Sequence, residues 1–129
     1  MAVAIELTNR SGMEVDGAAA SALAAEVLET EGIRSGELGI GFVAPEEIRR
    51  LKSEHLGIDE VTDVLSFPID GREDVPAGVP RQLGDVVLCP QLVGEAWRGP
   101  LVHGLLHLLG YAHGTEMKAR EALHGAAAS

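Results

Sequence analysis

A single cysteine, Cys89, is all the thiol chemistry that 129 residues contain. It cannot close an intramolecular disulfide, and it excludes every zinc scheme that needs several thiolates. A lone cysteine fits a reducing compartment, and Cys89 reads as a buried free side chain. Aromatic residues are scarce at 3%, so the core is expected to come from Ala, Val, Leu and Ile. Long apolar runs are missing too. The most apolar stretch, residues 101–110, is far too short to span a bilayer and contains two histidines. Residues 1–7 carry Glu6 and no basic start, so no secretory leader is expected. These absences together predict a cytoplasmic protein with no membrane association.

Positive charge is also in short supply. The net charge is −10, which at first sight argues against nucleic acid, since phosphate binding rests on Lys and Arg. The distribution of charge along the chain weakens that objection. Residues 1–80 hold 16 acids and six bases, whereas residues 81–129 hold four of each. The second half is neutral before any metal is counted, and a bound dication would make it locally positive. What is present, 46% hydrophobic and 23% charged residues, is the composition of a folded soluble protein, and the length predicts one domain over 1–129.

Residues 2–8 alternate as a strand, turned by 9–12. Asp16 is a suitable N-cap for a helix running to about Glu31, with Ala20, Leu23, Val27 and Leu28 as its apolar stripe and Gly32 as its stop. Residues 37–44 read as a second strand, with Gly39 and Gly41 where another element packs closely. Pro45, Glu46 and Glu47 form a helix first turn, and that helix should end near Gly57. Residues 64–68 are a short strand, 70–82 a loop rich in Gly and Pro, and 83–89 a strand apolar enough to lie inside a sheet. A short helix follows over 90–96. Pro100 suits the first position of a helix that stops at Gly110. Residues 117–124 form a last helix, and the tail from about 125 to 129 should fray.

Histidine carries the chemistry. His103 and His107 are four apart, one helical turn plus about 40°, so both imidazoles leave one face. In a continuous helix His113 would sit roughly 9 Å further along and about 120° away, out of reach of a shared ion. Gly110, placed to end the helix in a left-handed C′ conformation, lets the chain turn back. The three histidines thus read as ligands of one transition-metal ion, with zinc the best fit. Three neutral imidazoles leave a fourth tetrahedral position for water, the catalytic rather than the structural pattern. The zinc-peptidase pattern H-E-x-x-H needs a glutamate after the first histidine, and Gly104 stands there instead, so a metallopeptidase lacks its base.

Other residues carry weaker signals. Asp63 and Asp85 are acids near strand ends and the candidate catalytic carboxylates, able to orient an imidazole or hold the attacking water; turn or N-cap roles are the competing reading. Ser66 reads as a turn hydroxyl. Arg49, Arg50 and Lys52 read as a solvated helix face that could hold an RNA backbone, Trp97 as a core anchor, and His124 as exposed.

Three blocks resemble a known family. His103-Gly-Leu-Leu-His107-Leu-Leu-Gly-Tyr-Ala-His113 is similar to the H-G-x-L-H-L-x-G-Y-D-H signature of the YbeY-type endoribonucleases, bacterial rRNA maturation factors. Thr62-Asp-Val-Leu-Ser-Phe-Pro68 matches the T-D-V-L-S-F-P block without a change, and Leu83-Gly-Asp-Val-Val matches the L-G-D-I/V block. The resemblance covers residues 37–125. It implies a single-domain α+β fold, a small mixed four-stranded sheet flanked by helices, with the site on a late helix and the turn after it. It implies one Zn²⁺ per chain on His103, His107 and His113. The implied activity is cleavage of single-stranded RNA in 16S rRNA 3′-end maturation and ribosome quality control, with the 16S precursor and the small ribosomal subunit as partners. A metal-stabilised RNA- or ribosome-binding module without catalysis is the alternative. Three departures stand out. Ala112 replaces the aspartate before the third histidine, Leu56 stands where many members have an arginine, and the stretch between Cys89 and His103 is short.

Overall fold

The computed structural model describes residues 3–125. Residue 2 of the first expected strand and the tail beyond residue 125 lie outside them. Four strands and five helices follow one another as β1 (Ala4–Asn9), α1 (Gly17–Thr30), β2 (Glu37–Phe42), α2 (Pro45–Leu56), β3 (Val64–Pro68), β4 (Gln82–Leu88), α3 (Pro90–Val93), α4 (Arg98–Leu108) and α5 (Thr115–Leu123). The sheet order is β1-β2-β4-β3. β1, β2 and β4 run parallel, and β3 pairs antiparallel with β4. This is the small mixed sheet expected, with β4 in the interior as its apolar sequence required.

Period-two alternation divides the sheet residues between two faces. Leu38, Ile40 and Phe42 of β2, with Val86 and Leu88 of β4, join α1 and α4 in the main core. Leu65, Val87, Cys89 and Ile48 form a smaller core under α2 on the opposite face. Cys89 is a buried free thiol, as expected. In α1 the buried set is Ala20, Ala24, Val27 and Leu28, with Leu23 only partly buried. Asp16 caps that helix by accepting from the Ala19 N–H at 3.0 Å.

Several element ends differ from expectation, each for a local reason. α3 is cut to one turn because Gly94, at φ 54° and ψ −133°, leaves helical space. α4 begins two residues before Pro100, at Arg98. The proline then occupies the third helical position, whose N–H has no intrahelical acceptor in any case. Trp97, at the N-cap, is a partly buried anchor of the main core, with the Arg98 guanidinium 4.4 Å from its ring centre. α5 starts at Thr115, two residues earlier than expected.

Two glycines set the position of α4. A Cβ on Gly104 would lie 2.7 Å from Val86 Cγ1 and 3.0 Å from Val64 Cγ2, so the helix rests directly on β4 and β3. Ser66 lies in β3, within the strand expected over 64–68, but its Oγ, read as a turn hydroxyl, donates instead to the Gly104 carbonyl at 2.6 Å. At the other end Gly110 takes φ +99°. Its N–H donates to the His107 carbonyl at 3.0 Å and the Tyr111 N–H to the Leu106 carbonyl at 3.0 Å, the paired bonds of a Schellman stop.

Glu31, whose side chain is 1% exposed, ties distant elements together. Its carboxylate accepts from Arg120 Nη2 at 2.6 Å, Tyr111 Oη at 2.9 Å, His124 Nε2 at 2.8 Å and Arg72 Nη2 at 3.1 Å. His124 is therefore not exposed as expected. Its side chain is 4% exposed, because the C-terminal end of α5 folds down onto Glu31. Burial alone would raise the Glu31 carboxyl, but the hydrogen bonds from Arg120, His124 and Tyr111 outweigh it and hold its pKa at about 2.

Two outcomes follow. Gly110→Val should lower unfolding free energy in urea by about 1–2 kcal/mol, since a side chain there meets no neighbour but must adopt a positive φ. Because the Glu31 pKa is depressed in the folded state, its contribution is present above the unfolded carboxylate range and is lost as pH falls from about 5 toward 2. Urea unfolding at pH 6 and pH 3 should differ by a Glu31 share of roughly 2 kcal/mol. That share should be missing from the same comparison on Glu31→Gln.

Candidate metal centre

With Gly104 seated on the sheet, the helix presents His103 and His107, one turn apart, beyond the edge strand β3. The Schellman stop at Gly110 then reverses the chain and brings His113 back toward them. The nitrogen atoms converge: His107 Nε2 stands 3.0 Å from His103 Nε2 and 3.2 Å from His113 Nε2. One donor atom from each of the three lies within 4.8 Å of the others. Tetrahedral ligands at 2.0–2.1 Å from zinc would be about 3.3 Å apart, so the spacing suits such an ion.

The tautomers follow from the outer contacts. His107 Nδ1 lies 2.9 Å from the Tyr111 carbonyl, which can only accept, so Nδ1 carries the proton and Nε2 the lone pair. His103 Nδ1 donates in the same way to Glu121 Oε2 at 3.0 Å. Burial, and then the nearness of His103 and His113, push the His107 pKa down, so the ring is held in the neutral form that ligates metal. The Nε2 lone pairs of His103 and His107 thus face one another with no proton between them, His113 Nε2 lies beside them, and the donor set fits one divalent ion.

The imidazoles line an open groove of about 1630 Å³ shared with Asp63, Asp85, Leu56 and Lys118. Asp63 precedes β3 directly. Asp85 lies within β4 rather than at a strand end, opposite Gly39 and Phe67. A Cβ on Gly39 would collide with the Asp85 carboxylate, which explains the glycine there. Both aspartates are exposed on the groove wall, and neither hydrogen-bonds a ring nitrogen among the described residues. Imidazole orientation, one role the sequence allowed them, falls to Glu121 and the Tyr111 carbonyl. Ala112 supplies no carboxylate, and Leu56, 57% exposed, supplies no charge.

Arg49 and Lys52 are paired to Asp59 at 2.7 Å and Glu60 at 2.6 Å, and Arg50 lies 3.8 Å from Glu47. This basic helix face is thus neutralised by its own neighbours. Sequence reasoning missed Glu121 and Tyr111. Tyr111 acts through its backbone carbonyl, which no residue type announces. Glu121 stands 18 residues from its partner, beyond any local spacing rule.

Comparison with known proteins agrees with the geometry. The family model described as Endoribonuclease YbeY matches residues 6–127. An Endoribonuclease YbeY of Beutenbergia cavernae is 39% identical over 90% of this chain and 87% of its own length. One of Acidothermus cellulolyticus is 40% identical over 91% of this chain and 83% of its own. The solution structure of TM1509 from Thermotoga maritima superposes with a TM-score of 0.57 at 26% identity, over 93% of this chain and 85% of that one. A mixed sheet carrying three convergent histidines, and relatives matched over nearly their whole length, place the chain in the YbeY endoribonuclease family.

Proposed function

We propose that this protein is a Zn²⁺-dependent, single-strand-specific endoribonuclease of the cytoplasm that acts on the 16S rRNA precursor, at its 3′ end, and on the small ribosomal subunit in quality control. Family membership supports RNA hydrolysis, and one observation carries the metal dependence. The three Nε2 atoms converge at a groove wall while the Nδ1 atoms of His103 and His107 are already committed. His103, His107 and His113 would hold one ion per chain. When bound, the ion supplies Lewis acidity, activating water and stabilising charge on a phosphoryl oxygen. Glu121 and the Tyr111 carbonyl keep the ligand rings aimed, as such outer partners do in metal sites.

The remaining work falls to the groove. Arg10 is paired to Glu47 and Lys52 to Glu60. Lys118, which lines the same groove, has no acidic partner among the described residues. It is the cation free to meet a phosphate, on a wall where Leu56 offers none. Asp63 and Asp85, exposed carboxylates lining the same groove, are the candidates to accept a proton from the attacking water. A groove this open admits an extended single strand. The peptidase alternative fails on space, because Gly104 faces the sheet and a glutamate there would strike Val86 and Val64.

Purified protein should carry about one zinc per chain by elemental analysis, His107→Ala should carry none, and Glu121→Ala should bind it about 10–100-fold more weakly. Single-stranded RNA should be cut by wild type, and not after chelation or by His103→Ala purified alongside it. Equal cleavage by both proteins would overturn the enzyme reading. RNA affinity of wild type without cleavage under any metal condition would establish the binding module instead. Lys118→Gln should weaken RNA binding regardless of sequence and flatten the salt dependence of log K by about 0.7, the share of one phosphate contact.

A further inference from the structure

We propose that Glu31, buried 72 residues before the first ligand, is the positioning residue of the metal centre, holding both outer contacts that aim His103 and His107. This rests on the metal reading above. Glu31 sits at the C-cap of α1, where a negative charge opposes the helix macrodipole. Its placement therefore does not serve α1. Its partners explain it, because three of the four, Tyr111, Arg120 and His124, belong to the segment that completes the site.

Tyr111 is the first. Its hydroxyl donates to Glu31 Oε1 at 2.9 Å, while its carbonyl accepts from His107 Nδ1 at 2.9 Å. One residue is thus gripped by its side chain and used through its backbone. Arg120 is the second, donating through Nε at 2.9 Å and Nη2 at 2.6 Å to Glu31 Oε2. Its neighbour Glu121 accepts from His103 Nδ1. Successive helical residues point about 100° apart, so fixing Arg120 on Glu31 sets where Glu121 points. His124 Nε2 adds a bond at 2.8 Å one turn further on.

α5 has nine residues and only Met117 buried, too short to hold itself as an isolated helix. Its register therefore depends on these tethers. Arg72 closes the cluster by donating to the Glu31 backbone carbonyl at 2.8 Å and side chain at 3.1 Å. A neutral amide at position 31 leaves charged and hydroxyl donors without a full acceptor, and they must rearrange. Both Glu121 and the Tyr111 carbonyl move with them.

The test measures zinc affinity by competition with a chromogenic chelator, and ligand geometry from the visible spectrum of the cobalt-loaded protein. Glu31→Gln should weaken zinc by about 10–100-fold, the usual effect of losing outer-contact support, and alter the cobalt bands. Tyr111→Phe, which keeps the carbonyl but frees it, should weaken zinc by a smaller factor. Asp16→Ala, which loses the α1 cap far from the site, should lower the melting temperature and leave affinity and spectrum unchanged. Wild-type zinc affinity in Glu31→Gln and Tyr111→Phe, whatever their melting temperatures, overturns the proposal. Should Glu31→Gln not fold, Tyr111→Phe decides alone. A wild-type protein that binds neither zinc nor cobalt overturns the metal reading itself, a failure visible before any variant is made.

Discussion

The contact of α4 with the sheet at Gly104 is the constraint from which the rest follows. With no side chain at that position, the helix backbone lies against Val86 and Val64 and its carbonyl receives the Ser66 hydroxyl. A methyl group would force α4 outward, and overpacking of that kind typically costs about 1–3 kcal/mol. The seat determines how far His103 and His107 project past β3 and whether the chain leaving Gly110 can bring His113 within reach. Leu101, Leu105 and Leu108, buried on the same helix, hold this position through ordinary apolar packing. Core packing and the two candidate ligands His103 and His107 are thus carried by one short helix.

Electrostatics organises the molecule on a second level. The acid excess of the first 80 residues is partly consumed internally, since Glu47, Asp59 and Glu60 neutralise Arg10, Arg49 and Lys52. Such exposed pairs contribute little stability individually, yet they remove cations from competition for an anionic ligand. Glu31 differs in kind. It is an acid of the first half buried mainly against Tyr111, Arg120 and His124 of the second, with Arg72 of its own half closing the cluster, and desolvation makes the pairing essential. The groove wall therefore presents Asp63, Asp85 and Lys118, beside three imidazoles that could hold a metal ion.

Much of this was legible in the residues. The i, i+4 histidines, the Asp16 cap and the Gly32, Gly57 and Gly110 stops are local signals, and each lies where the spacing put it. Apolar alternation identified four strands and the interior place of β4. Errors clustered where local rules conflict. Pro100 marks the first helical turn rather than its first residue, and Gly94 outweighs the apolar residues that extended α3. The Ser66 hydroxyl and the His124 ring were misread because their partners, the Gly104 carbonyl and Glu31, belong to other elements.

The sequence by itself determined which three imidazoles converge, because periodicity and one glycine stop act over a few residues. It also announced the family, through blocks long enough to be specific. Tertiary structure alone decided what aims those side chains. Glu121 reaches His103 across 18 residues, and Tyr111 and Arg120 reach Glu31 across 80 and 89. Contacts that distant arise from how α1, α4 and α5 pack, and the packing is settled by the whole core at once. No local pattern encodes a burial that exists only when the chain is folded, and so a lone glutamate at a helix end gave no sign that it would become the centre of a buried network.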